Sequence, residues 1–213
     1  MTRIALIHAL AHSVAPINDA MARDWPDCQR MNLLDDSLSA DLARSPAGLD
    51  EAMTQRFLAL ADYAVSTGAH GLLFTCSAFG PCIDAVAARY ADRPVLKPNE
   101  AMVVEANAIG GVIGLVASFA PTLVSMPPEF GPGVTLHSQL AEGALDALNR
   151  GDLERHDELV ANAALRLLDQ GCRVIALAQF SMARARPLVA QRCGVPVLTT
   201  VDSAVAALRA RLG

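Results

Sequence analysis

Short apolar runs alternate along the chain with longer, alanine-rich amphipathic stretches. The runs at 3–10 (RIALIHAL), 71–75 (GLLFT), 94–96 (PVL), 111–117 (GVIGLVA), 134–138 (VTLHS), 173–178 (RVIALA) and 196–200 (PVLTT) are rich in Val, Ile and Leu. Turn residues bound them, which is the pattern of strands buried on both faces. Segments 50–68, 156–171 and 202–213 read as helices, ending at Gly68, Gly171 and Gly213, a common residue just past a helix. The alternation predicts an α/β fold, with parallel sheets flanked by helices.

The pattern repeats. IALIHAL at 4–10 is echoed by IGLVASF at 113–119, and PVLKPNEAMV at 94–103 by PVLTTVDSAV at 196–205. Between these anchors, GLLFTCSAFG at 71–80 takes the place in the first half that RVIALAQFSM at 173–182 takes in the second. The expectation is two similar lobes related by a pseudo-two-fold, each a short parallel β-sheet flanked by helices. An N-terminal α/β lobe would span 1–105 and a C-terminal α/β lobe 106–200, with a C-terminal helix, 201–213, packing back on the first. Ligands in open α/β sheets bind at the carboxyl ends of the strands, so the expected site is a cleft shared by those ends.

Composition narrows the function. The 213 residues are 53% hydrophobic, enough for a large core, and 22 acids against 17 bases leave a net charge of −5 with no basic run. Nucleic acid is therefore not an expected partner. Five cysteines, at 28, 76, 82, 172 and 193, form no CxxC and no Cys/His ligand set, which suits a reduced, cytoplasmic protein without a metal site. The uncharged stretch from Ala106 to Pro128 is broken by Gly110, Gly111, Gly114, Pro121 and Pro127, and suits a buried strand and loop better than a membrane helix. No membrane partner is expected.

The strand at 71–75 ends in Thr75, Cys76 and Ser77, with Pro81 placed to open a helix. A helix N-terminus favours thiolate over thiol, so Cys76 there can act as base, acid or nucleophile. Thr75 and Ser77, with backbone amides, offer donors to a substrate carboxylate. Cys82 lies inside the following helix and reads as core. His8 ends the first strand, with His12 and Ser13 in the loop, and Ser118 ends the corresponding strand of the second half. HALAH has the spacing of a helical metal pair but lies at a strand-to-loop junction and lacks the glutamate of a zinc motif. Lys97 is the only lysine, and without a phosphate cradle it does not make a cofactor site. Glu100 and Asp202 are placed to cap helices, and Arg184 and Arg186 to meet a second carboxylate or solvent.

FTCSAFG, its counterpart ALAQFSMA and the two-lobe repeat together resemble the aspartate/glutamate racemase superfamily, which includes hydantoin racemases, maleate cis-trans isomerases and arylmalonate decarboxylases. The resemblance covers essentially the whole chain. It implies no cofactor, a small-molecule carboxylate as substrate, a homo-oligomer, and one cysteine from each lobe facing the substrate from opposite sides. Cys76 matches the first of these cysteines, but Gln179 stands where the second belongs. Cys172 cannot substitute, since six strand residues at roughly 3.3 Å each put it about 20 Å from the strand's carboxyl end. Cys193 also precedes a strand, and the hydroxyl of Ser181 is too weak a base alone. The expected site is Cys76 and Gln179 as catalytic groups, with His8, Ser13, Thr75, Ser77, Ser118, Phe180 and Ser181 binding substrate. A racemase-type isomerase working through a single thiol leads. Decarboxylation or maleate-type isomerisation by one cysteine, and a non-catalytic small-acid binding protein, stand as alternatives.

Overall fold

The computed structural model describes residues 1–46 and 48–213. They divide into two compact units, Met1–Pro98 with Ala204–Gly213, and Asn99–Ser203. The first contains β1 (Arg3–His8), α1 (Val14–Asp24), β2 (Gln29–Leu34), α2 (Ser37–Arg44), α3 (Glu51–Ser66), β3 (Gly71–Phe74), α4 (Gly80–Arg89) and β4 (Val95–Leu96). The second contains α5 (Glu100–Ile109), β5 (Ile113–Ala117), α6 (Thr122–Ser125), β6 (Leu136–Leu140), α7 (Ala144–Asn149), α8 (Leu153–Leu168), β7 (Val174–Leu177), α9 (Arg186–Cys193) and β8 (Val197–Thr199). The last helix, α10 (Thr200–Leu212), begins in the second unit and ends in the first.

Each unit carries one parallel four-stranded sheet, ordered β2-β1-β3-β4 in the first and β6-β5-β7-β8 in the second. The sequence repeat reappears in the pairing register. Ile4 lies opposite Gly71 as Ile113 lies opposite Val174, and Leu72 lies opposite Val95 as Ile175 lies opposite Val197. The expected α/β class and the two similar sheet-and-helix halves are borne out. One strand escaped the sequence reading: β2, QRMNLL, is a sheet edge with only Met31 and Leu33 half-buried. With so few apolar positions its alternation is faint. Its counterpart β6 begins two residues later than the apolar run at 134–138 suggests, and is also only partly buried.

In the first unit, Ala5, Ile7, Leu72 and Phe74 face one side, where Leu38, Phe57 and Ile83 from three helices cover them. The alternate residues Ile4, Leu6 and Leu73 are equally inaccessible, so both sheet faces are covered. Phe57 stacks on Phe74 at 5.4 Å and meets Phe79 at 4.9 Å between ring centroids. Phe79 thereby anchors the turn that follows β3. In the second unit, Val116, Ile175 and Leu177 pack against Val160 and Leu167, while Leu115, Ala117 and Ala176 face Met102, Ala106 and Phe130. Among the described residues, no helix is long and apolar enough to cross a membrane.

Candidate active site

The interior strand β3 delivers Thr75 and Cys76. Thr75 continues the ladder by one bond, its N–H donating to the Ile7 carbonyl at 3.0 Å. Cys76 is still extended and caps a 3-10 turn, Ser77–Phe79, which runs into α4 with Pro81 in its first turn. Its side chain is half-buried. Burial pushes the thiol above its ordinary pKa, while the Ala78 N–H and the Ser39 hydroxyl pull the other way. Desolvation wins, so the thiol is not the acidified group that a helix N-terminus alone would make. Ser39 donates to the Ala9 carbonyl at 3.1 Å, and its one proton must leave that bond to serve a thiolate. Beside Cys76 runs a largely apolar crevice lined by Ile7, His8, Ala9, Leu38, Phe57 and Phe74, too narrow for a water molecule.

Behind the thiol lies a polar cluster built on His8, which is fully buried. Its Nε2 is 3.0 Å from Asn32 Oδ1, and its Nδ1 is 3.0 Å from both Ser13 Oγ and Thr75 Oγ1. Asn32 and Asn18 exchange amide bonds, Asn18 Nδ2 donating to Asn32 Oδ1 at 2.8 Å and Asn32 Nδ2 donating back at 3.2 Å. Asn32 Oδ1 is thus an acceptor, which puts the His8 proton on Nε2 and leaves Nδ1 to accept. Ser13 donates to the Leu10 carbonyl at 2.7 Å, so the single Thr75 proton is shared between Nδ1 at 3.0 Å and Ser13 Oγ at 2.8 Å. Burial lowers the His8 pKa, against the bond to Asn32 that raises it. A neutral ring results. His8, Ser13 and Thr75 are brought together, but all three are buried and mutually satisfied. Ser77 is half-buried, with no side-chain hydrogen bond among the described residues.

The second unit places a different cluster at the same topological point. Gln179 caps the 3-10 helix Phe180–Ala185 after β7. Its Oε1 accepts from the Ser118 N–H at 3.0 Å and from the Ser118 hydroxyl at 3.4 Å, and its Nε2 donates to Thr122 Oγ1 at 2.8 Å. One N–H of the half-buried carboxamide is left over. Phe180 is turned into the core and Ser181 is half-buried. Arg184 is held by both oxygens of Asp157, and Arg186 by the Val197 carbonyl and Asp202. By the strand register Ala178 corresponds to Thr75, and Ala117 to His8, so this half lacks both the thiol and the histidine cluster.

Cys28, Cys82 and Cys172 are buried, and Cys193 is the last residue of α9. Cys76 is the one cysteine at a strand's carboxyl end among the described residues. Lys97 pairs with Asp84 at 2.6 Å, and Asp202 exchanges hydrogen bonds with Thr199 at the start of α10. No group of three metal-ligating side chains occurs among the described residues. Sequence reasoning passed over Asn18, Asn32 and Ser39. Asn32 lies in the strand it missed, and Ser39 lies on α2, whose eight residues follow that strand.

The family model described as Asp/Glu/Hydantoin racemase matches residues 11–208. No curated protein matches significantly. Among solved structures, an allantoin racemase from Klebsiella pneumoniae is 18% identical with a TM-score of 0.71, over 99% of this chain and 87% of that one. A glutamate racemase from Francisella tularensis in complex with D-glutamate is 15% identical, TM-score 0.72, over 99% and 81%. The Picrophilus torridus aspartate racemase is 11% identical, TM-score 0.73, over 99% and 94%. At these identities the likeness to the solved structures is one of fold.

Proposed function

The chain belongs to the Asp/Glu/hydantoin racemase family, an isomerase family, and from that premise we propose that it inverts a small carboxylate, an amino acid or its derivative, through Cys76 alone. The observation that carries the reading is the contrast between the two strand ends. β3 ends in a half-buried thiol with donors around it, whereas the corresponding end of β7 carries a carboxamide tied to Ser118 and Thr122.

In the proposed reaction the Cys76 thiolate takes the α-proton. The C–H electron pair moves into the neighbouring carboxyl group, giving an enediolate, and an S–H bond forms. Gln179 cannot return the proton, being neither acid nor base, and His8 is fully buried with both nitrogens engaged. Water therefore protonates the opposite face, and the hydroxide left behind takes the thiol proton, restoring the thiolate. The developing negative charge is met by the Ser77 hydroxyl and nearby backbone N–H groups.

A single thiol also favours a second reading, in which a substituted malonate loses carbon dioxide and Cys76 donates its proton to the enediolate. Proton NMR in deuterated water separates the two. Wild type and Cys76→Ala are incubated with amino acids, hydantoins, maleate and substituted malonates. The lead reading expects loss of an α-proton signal, at least a hundredfold slower in the variant. Carbon dioxide release that needs Cys76 would favour the decarboxylase, and no turnover of any compound would leave a binding protein.

A further inference from the structure

Cys76 shares its crevice with two residues that Ser39 links. Ala9, just past β1, and Leu38, the second residue of α2, both line it, and Ser39 follows Leu38 and donates to the Ala9 carbonyl at 3.1 Å. The half-buried Ser39 hydroxyl is also within hydrogen-bonding reach of Cys76, a contact that opposes the effect of burial on the thiol. Its place is fixed from two sides. Leu38 is fully buried, and Arg56 on α3 ties the segment down through Asp35 before α2 and Asp41 within it, at 2.7 Å each. All of these residues belong to the first unit. In the second unit, where Gln179 follows β7 in place of a thiol, the segment after β6, residues 141–149, carries no hydroxyl side chain.

The titratable groups on the elements around Cys76 offer a thiolate no unpaired cation. His8 on β1 is neutral with both ring nitrogens engaged, and Cys82 on α4 is buried. Arg56 is shared by Asp35 and Asp41, Asp41 also holds Arg44, and Lys97 after β4 pairs with Asp84 on α4. Stabilisation of a thiolate therefore falls to neutral donors. A serine hydroxyl has one proton to give. While Cys76 is protonated, that proton goes to the Ala9 carbonyl. Once the S–H bond has broken and its proton has left, the sulfur carries a full negative charge, and a hydrogen bond to a charged acceptor is about twice as strong as one to a neutral carbonyl. Rotation about the Ser39 Cβ–Oγ bond is enough to redirect it. Ser39 keeps its proton throughout and changes only its acceptor.

We propose that Ser39 is a switching donor, bound to the Ala9 carbonyl when Cys76 is a thiol and to Cys76 Sγ when it is a thiolate, and that it thereby governs how readily the thiolate forms. The inference rests on the proposed function in taking Cys76 as the reacting group.

Alkylation of Cys76 by iodoacetamide, followed across pH by peptide mass spectrometry, gives the midpoint of its ionisation without any substrate. Ser39→Ala is expected to raise that midpoint by about half a pH unit or more, and Ser39→Thr, which keeps the hydroxyl, to restore it. A Ser39 that only holds α2 in place predicts the opposite sign, because a loosened α2 lets water reach the sulfur and relieves the desolvation that raises the thiol. An unchanged or lowered midpoint in Ser39→Ala overturns the inference, as does a midpoint that Ser39→Thr leaves raised. Should Ser39→Ala fail to fold by circular dichroism, Ser39→Val and Ser39→Thr, alike in shape and differing in the hydroxyl, carry the same comparison, with the valine midpoint expected higher. Measuring α-proton exchange on the same variants separates this inference from the proposed reaction. A raised midpoint with no turnover of any compound sinks the reaction and leaves the role of Ser39 standing. Turnover that needs Cys76, with an unmoved midpoint, does the reverse.

Discussion

Thr75 and Cys76 are adjacent, yet one is locked to a buried histidine and the other meets a largely apolar crevice. That difference sets the pH behaviour of each neighbourhood. Because burial raises the Cys76 pKa, the thiolate fraction should still be climbing at pH 8.5, the usual value for a free thiol being about there. Alkylation of Cys76 by iodoacetamide, followed by peptide mass spectrometry, is expected to accelerate about tenfold per pH unit and to level off only above about pH 8.5. A plateau near neutrality would contradict the environment described. His8 behaves in the opposite sense. Its folded pKa lies below the unfolded value of about 6.5, so the unfolded chain binds a proton that the folded protein refuses. Stability from this group is present above about pH 6.5 and is lost as pH falls towards the folded value, by at most about 1.4 kcal/mol per unit. Urea titrations at about pH 7.5 and 5.5 should show a smaller acid loss in His8→Gln than in wild type. An equal loss would place the titrating group elsewhere.

The strands show what a sequence can and cannot carry. β1, β3, β5 and β7 are buried on both faces, and their unbroken apolar runs announce them. The edge strands β2 and β6 are only partly covered, so selection for apolar residues there is relaxed and the signal fades. The same effect hides part of the site. Cys76 and Gln179 are legible because they end strongly patterned strands, while Asn32 hides in the edge strand and Ser39 in the short helix behind it. Tautomer and bond direction at His8 were not legible at all, since they follow from an amide pair between residues 14 apart in the sequence. Close packing on β5 gives a direct test. A Cβ at Gly114 would lie 2.9 Å from Ile175 Cδ1 and 3.1 Å from Leu167 Cβ. Gly114→Ala should therefore destabilise the protein by about 1–3 kcal/mol, read from the urea midpoint, whereas a neutral effect would mean the helix gives way.

At the scale of the whole chain the repeat was visible as three pairs of similar segments, and the matching registers of the two sheets give it a structural meaning. The first unit is non-contiguous, completed by Ala204–Gly213. Leu208 is fully buried there, Leu212 lies against Gly71, and Arg209 donates to the Asp24 carbonyl at 2.7 Å. Deleting residues 204–213 should lower the unfolding midpoint of the β1–β4 unit in hydrogen exchange. Unchanged protection of β1 and β3 would show that the tail is dispensable. The central claim is that one thiol serves one face of the substrate and water the other. It is tested most directly by following both enantiomers of a substrate in deuterated water, by NMR for deuterium uptake and chiral chromatography for inversion. One thiol predicts that a single enantiomer takes up deuterium with retention faster than it inverts, and that Cys76→Ala abolishes this uptake. Equal rates of uptake and inversion from both enantiomers would require a second acid on the protein and would contradict the account.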